Sequence, residues 1–472
     1  MLIRRSQRKV LFFMVSLLIS SFLLGAFIRD ACALTAEEEK KMGKTVLLEI
    51  EKEADFMRDL TIQTFIDKLG YSIVDQVGPT PFEFKFYVIN GLDPNAFAIP
   101  GGYIFVTTGL LVLAENEQEV AGVLSHEIAH VTQRHIAQMI ERSKRLNIAS
   151  MAAILAAMLA GRGGTASQAG AAMATATAGA LQLKYTREME TDADQNGLHY
   201  LIKAGYDPNG LINFLNRIQR ISLAIAPNIP PYLLTHPAIE SRISLMDNLL
   251  QMGPKPTGPF KTVGNFRKIR AMAFVEEREP HVAITHFQSL IDANPDYWEG
   301  FYGLGLAYRK MGRFDKSMEV LQRAHSLAPK DIDISRELGI TYFFLGKMDQ
   351  AIESLEAIRS TPGEGRNSDL LILYYLGRGY QEKGDFAQAL PLFLKVQKEK
   401  PEFADIYYHL GSVYGRTGQK GLSHFYFGKH FKLRREKNNA LLHFRTAIDG
   451  LERGSPEREE AQREMKELTS PQ

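Results

Sequence analysis

A chain with one cysteine cannot staple itself. Cys32 stands alone among 472 residues, so no disulfide within the chain is available and stability must come from buried apolar surface. Charge of one sign is equally lacking. The 56 Lys and Arg residues face 54 Asp and Glu, for a formal net charge of +2, and nothing steers the chain to nucleic acid. Apolar runs long enough to cross a bilayer are missing past the N-terminus. The alanine-rich stretch Ile148 to Ala180 has an apolar core, Ile148 to Ala160, of 13 residues, and Gly161-Arg162-Gly163-Gly164 interrupts it. This stretch is expected either to cover a cleft or touch a membrane or partner, or to form two ordinary packed helices.

The one long apolar run, Val10 to Ile28, follows Arg4, Arg5, Arg8 and Lys9 and precedes Ala31-Cys32-Ala33, the small-residue form of a signal-peptidase site. Residues 1–33 are therefore expected to be a cleaved export signal, which would take the cysteine with it. An uncleaved membrane anchor is the alternative for a run of 19 residues.

What the chain does have is His126-Glu127-Ile128-Ala129-His130. On a helix, residues four apart share a face, so both imidazoles reach one tetrahedral ion while Glu127 addresses the water beside it. The flanks predict one amphipathic helix from Glu117 to about Arg142, with Val120, Val123, Leu124, Ile128 and Val131 at apolar spacing. On that uninterrupted helix His135, five residues past His130, turns away from the pair and reads as a solvated surface residue.

A catalytic zinc needs a third protein ligand. Arg187-Glu188-Met189-Glu190-Thr191-Asp192-Ala193-Asp194 offers two carboxylate pairs at helical spacing, Glu190 with Asp194 and Glu188 with Asp192. In either pair one carboxylate binds the ion and the other accepts from the outer N–H of a ligating histidine. Spacing alone leaves both open.

The combination of HEIAH with Glu190-x-x-Ala193-Asp194 resembles the HExxH and ExxAD motifs of the M48 metallopeptidases, a family of membrane and soluble periplasmic proteases. Asn95-Ala96-Phe97-Ala98-Ile99-Pro100-Gly101-Gly102 and Thr235-His236-Pro237 with Arg242 extend the likeness over roughly residues 35–250. The resemblance implies one Zn2+ per chain held by His126, His130 and Glu190, with Glu127 as proton acceptor and Asp194 behind a ligating histidine. It leaves Glu188 and Asp192 as surface charges. It also implies a zincin-like metalloprotease domain of helices plus a small antiparallel sheet in a mainly α protein.

Phe82 to Val88 alternates at period two, and Ala96–Ile99 and Tyr103–Thr107 flank a Gly101-Gly102 turn, which predicts that sheet just before the zinc helix. An edge strand there suits an extended substrate backbone. Asn95, at the head of the second strand, is expected to bind substrate or brace the site loop, Asp93-Pro94-Asn95 being equally readable as a plain turn. For His236 and Arg242 the expectation is stabilisation of an oxyanion. His236 has a second possible role, as a fourth ligand that displaces water and leaves the site latent.

Past the Gly/Pro-rich segment 252–264 the sequence becomes periodic. Leu304-Gly305, Leu338-Gly339, Leu376-Gly377 and Leu410-Gly411 recur at spacings of 34, 38 and 34. Tyr308, Tyr342, Tyr380 and Tyr414 keep the register, as do Gly312, Gly346, Gly384 and Gly418 and the small residues Ala283, Ser317, Ala351, Ala389 and Ser423. Pro295, Pro329 and Pro401 end repeats. These are tetratricopeptide repeats, an α-solenoid, with an incomplete repeat from about Gly264, an insertion at Thr361–Gly365 and a capping helix over Asn438–Leu451.

The expected organisation is a signal peptide over 1–33, an M48-type domain over 34–251, a linker over 252–264, repeats over 265–452 and a charged tail over 453–472. The resemblance implies a periplasmic zinc endopeptidase acting on misfolded or stalled envelope proteins. Its repeats would hold substrate or outer-membrane assembly machinery, with peripheral membrane contact and no nucleic acid. The rival is a chaperone-like repeat scaffold for envelope assembly with a latent zinc site.

Overall fold

The computed structural model describes residues 34–142, 185–224, 230–253, 259–361 and 369–469. The expected export signal and the alanine-rich stretch lie outside these residues, as do most of the 361–365 insertion and part of the 252–264 linker. The chain divides into two compact units, one running to Met57 and from Phe65 to Phe266, the other made of Arg58–Thr64 and Arg267–Gln472. Among the described residues no helix is long and apolar enough to cross a membrane.

Helices α1 (Ala36–Glu53) and α2 (Leu60–Val74) precede three strands, β1 (Lys85–Ile89), β2 (Ala96–Ile99) and β3 (Tyr103–Thr107). Thr35 starts α1 with a full capping box against Glu38. The sheet order is β1-β3-β2. β2 and β3 form the expected antiparallel hairpin, Phe97 opposite Phe105, but β1 pairs with β3 in parallel, Lys85 opposite Tyr103 and Ile89 opposite Thr107. The small sheet is thus mixed rather than antiparallel. β3 holds the central slot, paired on both sides, and Phe105 stacks between Phe97 at 4.9 Å and Tyr87 at 5.2 Å.

After α3 (Thr108–Leu113), the motif helix α4 spans Glu117–Thr132, capped by the Asn116 side chain accepting from Glu119 N. It is buried on nearly every side, against β2, α6 (Arg187–Lys203) and α7 (Gly210–Ala224), so the expected amphipathic stripe is instead the centre of the unit. Nor does it reach Arg142. Arg134 adopts φ of +56°, and a separate α5 (His135–Arg142) begins after it. α8 (Pro231–Thr235) and α9 (Ile239–Met252) complete the unit.

The second unit stacks α10 (Phe266–Glu277), α11 (Pro280–Ala293), α12 (Trp298–Lys310), α13 (Phe314–Leu327), α14 (Ile332–Phe344), α15 (Met348–Ser360), α16 (Leu370–Glu382), α17 (Phe386–Glu399), α18 (Ala404–Arg416), α19 (Lys420–Leu433), α20 (Lys437–Gly450) and α21 (Pro456–Thr469). The first repeat, expected to be incomplete, has both helices, α10 and α11. The charged stretch from 453 folds largely as α21, which packs on α19 and α20 and buries Ala461. In the small-residue column Ser317 and Ser423 do more than make room. Their hydroxyls donate to the Gly305 and Gly411 carbonyls of the paired helices at 2.7 Å.

Gly346 closes the turn from α14 to α15 at φ of +73°, with nothing near the position its Cβ would take. Backbone conformation is therefore the whole penalty for a side chain there. Gly346→Ala is expected to lower stability by about 1–2 kcal/mol and Gly346→Asn by less, since asparagine tolerates the left-handed region. Urea unfolding of the full chain measures both. Equal losses for the two variants would remove the conformational explanation.

Candidate metal centre

α4 sets two imidazoles and a carboxylate on one wall. His126 and His130, four apart, bring their Nε2 atoms to 3.0 Å, and both rings and Glu127 are shut off from solvent. α6 supplies the facing wall. Its first turn is fixed by Thr186 accepting from Met189 N, which points Glu190 and Asp194 inward and leaves Glu188 exposed. The helices can approach because α6 crosses α4 at Gly197, where an added Cβ would meet the Ser125 carbonyl oxygen at 3.0 Å and His126 Cα at 3.1 Å. Of the two carboxylate pairs left open by spacing, the structure brings Glu190 and Asp194 to the histidines.

Glu190 Oε1 lies 3.4 Å from His130 Nε2 and its Oε2 3.5 Å from His126 Nε2. Asp194 Oδ1 stands 3.0 Å from the other nitrogen of His126, Nδ1. The short helix α8 then delivers His236. Its Nδ1 is 3.1 Å from Glu190 Oε1 and 3.4 Å from His126 Nε2, its Nε2 is 3.5 Å from Glu127 Oε1, and its ring stacks on Tyr232 at 4.5 Å. Ala238, at φ of +65°, reverses the chain into α9, which carries Arg242. That guanidinium donates twice to Asp194, Nε to Oδ2 at 2.8 Å and Nη2 to Oδ1 at 2.7 Å. Its Nη1 comes within 2.7 Å of Glu190 Oε2 without hydrogen-bond alignment. Tyr185 stacks on His130 at 3.8 Å and closes the remaining side.

His126, His130, Glu190 and His236 each present a ligand atom within 4.8 Å of the others, all four residues buried. The electrostatics ask for a cation. Three buried carboxylates, Glu127, Glu190 and Asp194, face one buried guanidinium, Arg242, leaving two negative charges without a formal partner. Both Glu127 oxygens, Glu190 Oε2 and His236 Nε2 are buried with no hydrogen bond. Burial pushes the Glu127 carboxyl up. Burial also works against charge on Glu190, but Arg242 and the histidines outweigh it and hold that carboxyl well below its usual range. For His126, burial and Arg242 oppose protonation, yet Asp194 and Glu190 lift the ring to about 9. His130 is pushed well below the ordinary imidazole value by burial and by His126. The same field that draws a proton to His126 draws a divalent ion, and this nitrogen and carboxylate donor set fits Zn2+.

Asn95 sits elsewhere in the local fold, at the head of β2. Its backbone N accepts no role in the donor group but donates to Thr107 Oγ1 at 2.9 Å, and its Oδ1 is buried without a partner. His135 departs from expectation. It is 2% exposed, not solvated, because the reversal at Arg134 returns it beneath His130, 2.9 Å between Nδ1 atoms. Asp192, read as a surface charge, is partly covered and contacts His135 Nε2 at 3.1 Å. No glycine or proline marks that reversal. The stacked rings Tyr185 and Tyr232 also carried no motif that pointed to them.

Residues 61–250 match the model of peptidase family M48, and residues 270–332 and 374–420 match the tetratricopeptide repeat. The chain is similar to the β-barrel assembly-enhancing protease of Yersinia pestis, 35% identical over 228 residues that cover 48% of this chain and 46% of that one. It is 31% identical to the protein of that name from Escherichia coli (strain K12) over 216 residues, 45% of this chain and 43% of the other. Mitochondrial metalloendopeptidase OMA1 of Schizosaccharomyces pombe is 28% identical over 215 residues, 45% of this chain and 61% of that one. The chain spans between 43% and 61% of the length of these relatives. Around His126, Glu127, His130 and Glu190, then, this chain carries a peptidase family M48 domain, and tetratricopeptide repeats follow it in the sequence.

Proposed function

We propose that the protein is an exported zinc endopeptidase that cleaves misfolded or stalled envelope proteins, its repeats holding substrate or assembly partners. The observation that carries the reading is the buried donor group, with three carboxylates against one guanidinium and both Glu127 oxygens free of hydrogen bonds. His126, His130 and Glu190 would hold zinc, which would supply a Lewis acid for activating water and polarising a carbonyl. Glu127 takes the proton as the water oxygen attacks the peptide carbon and returns it to the amine nitrogen as the C–N bond breaks. Burial raises its affinity for a proton, which suits a group that must accept one. Asp194 orients His126, and Arg242 fixes Asp194 and Glu190. β2 is an outer strand in the sheet order, the place where an extended substrate would add its backbone, with Asn95 at its head. The name of the Yersinia pestis and Escherichia coli relatives, β-barrel assembly-enhancing protease, supports a substrate connected with β-barrel assembly, and export would place the work in the periplasm.

His236 supports a second reading, a latent site. Its Nδ1 lies inside the donor group, at 3.1 Å from Glu190 Oε1, where the imidazole would serve as a fourth ligand in the place of water.

Glu127→Gln is expected to keep zinc and fold while lowering cleavage of an unfolded protein by about 10²–10⁴-fold, since it removes only the proton acceptor. Undiminished cleavage would take Glu127 out of the mechanism and favour a repeat scaffold.

His236→Ala separates blocking from stabilisation by sign. As a blocking ligand its loss raises proteolysis, the expected result. A drop of about 10²–10³-fold with zinc retained would instead make His236 an oxyanion donor and end the latency reading.

A further inference from the structure

A line of hydrogen bonds leaves the donor group through His130 and ends near the surface. His130 Nδ1 lies 2.9 Å from His135 Nδ1, and His135 Nε2 lies 3.1 Å from Asp192 Oδ2. The other Asp192 oxygen accepts from Asn196 Nδ2 at 2.9 Å. The His135 side chain is 3% exposed and that of Asp192 45%.

With an ion held at the donor group, the proton placement along this line follows. A ligating imidazole gives one nitrogen lone pair to the metal and keeps its proton on the other. His130 Nε2 faces His126 Nε2 at 3.0 Å and Glu190 Oε1 at 3.4 Å, so its proton belongs on Nδ1. That N–H donates to His135 Nδ1, which leaves the His135 proton on Nε2, aimed at Asp192. One tautomer of each ring satisfies both bonds.

We propose that His135 and Asp192 are positioning residues for His130, holding its ring in the one orientation and tautomer that can bind the ion. The proposal rests on the zinc reading above. Its physical basis is that a ligating histidine whose outer N–H is anchored loses rotational freedom and gains donor strength. The two histidines of the motif are braced by different devices. His126 leans directly on Asp194, whereas His130 reaches a carboxylate through an intervening imidazole. Because Asp192 is half in solvent its charge is screened, so orientation is the larger part of the effect. The break in the motif helix acquires a purpose. An unbroken helix would carry His135 away from His130, and Arg134 accepts the left-handed conformation that prevents this, its Nε bound to the buried Glu39 carboxylate at 2.8 Å.

The test uses the full chain and reads zinc affinity by competition with a chromogenic chelator, together with the visible absorption bands of the Co2+-substituted protein. His135→Leu removes both bonds and is expected to weaken zinc binding by about 10–100-fold and to shift the cobalt bands. His135→Asn, which keeps an acceptor near the Nδ1 position, recovers part of the loss. Asp192→Ala gives a smaller loss, and Glu188→Gln, exposed one turn before it, gives none. If His135→Leu does not fold, Asp192→Ala decides alone. Wild-type affinity and spectra in the folded His135 and Asp192 variants would overturn the positioning role while leaving the zinc site standing. Equal losses in Glu188→Gln would overturn it too, by marking a general loss of stability. A wild-type chain that takes up no zinc would overturn the site reading and the proposal together.

Discussion

Three carboxylates and one guanidinium held out of water set the terms for the whole peptidase unit. Glu127, Glu190, Asp194 and Arg242 are each at most 2% exposed. Desolvation on that scale costs several kcal/mol for each ion, as an order of magnitude of about 5. Arg242 offsets part of it by clasping Asp194 and lying against Glu190. The two negative charges left over can be met by protonation or by a cation. The first answer shows in the raised proton affinity of Glu127 and His126. A divalent ion is the second, and it leaves the imidazoles neutral, as ligands must be.

Charges this deep need a scaffold that does not give. α4 is enclosed on nearly all sides, and α6 meets it at Gly197 closely enough that backbone touches the space a side chain would fill. Two residues other than glycine adopt left-handed conformations beside the site, Arg134 and Ala238, and each places a site element: the first returns His135 beneath His130, the second starts the helix that carries Arg242. Tyr185 and Tyr232 lay aromatic faces on His130 and His236. Excluding water in this way strengthens every interaction within the group.

The donor group was legible in the sequence because its spacing rules are local. Two histidines four apart on a helix and a downstream carboxylate pair name most of the donor set, and the Leu-Gly, Tyr and Gly columns fix the repeats, since each follows from helical period. Choosing Glu190 and Asp194 over Glu188 and Asp192 needed the family likeness, and the inward face of α6 agrees with that choice. What escaped depends on chain reversal and on pairing direction. Period-two alternation in β1 says which face is buried but not whether β3 runs with it or against it. The turn at Arg134 has no glycine or proline to announce it, so His135 was placed on the wrong side of a helix that does not continue.

If buried negative charge is what the ion answers, zinc must act as a folding partner of the peptidase unit, and thermal unfolding of the full chain with and without zinc reads this directly. With free zinc at about 1,000 times its Kd, binding to the folded state alone contributes about 4 kcal/mol. For a unit near 200 residues this corresponds to about 8–16 °C in the midpoint of the transition that responds to zinc. The shift should vanish in His126→Ala with His130→Ala. A metal-free protein that melts where the zinc-loaded one does, or a double variant that keeps the full shift, would contradict the dependence of this site on its ion.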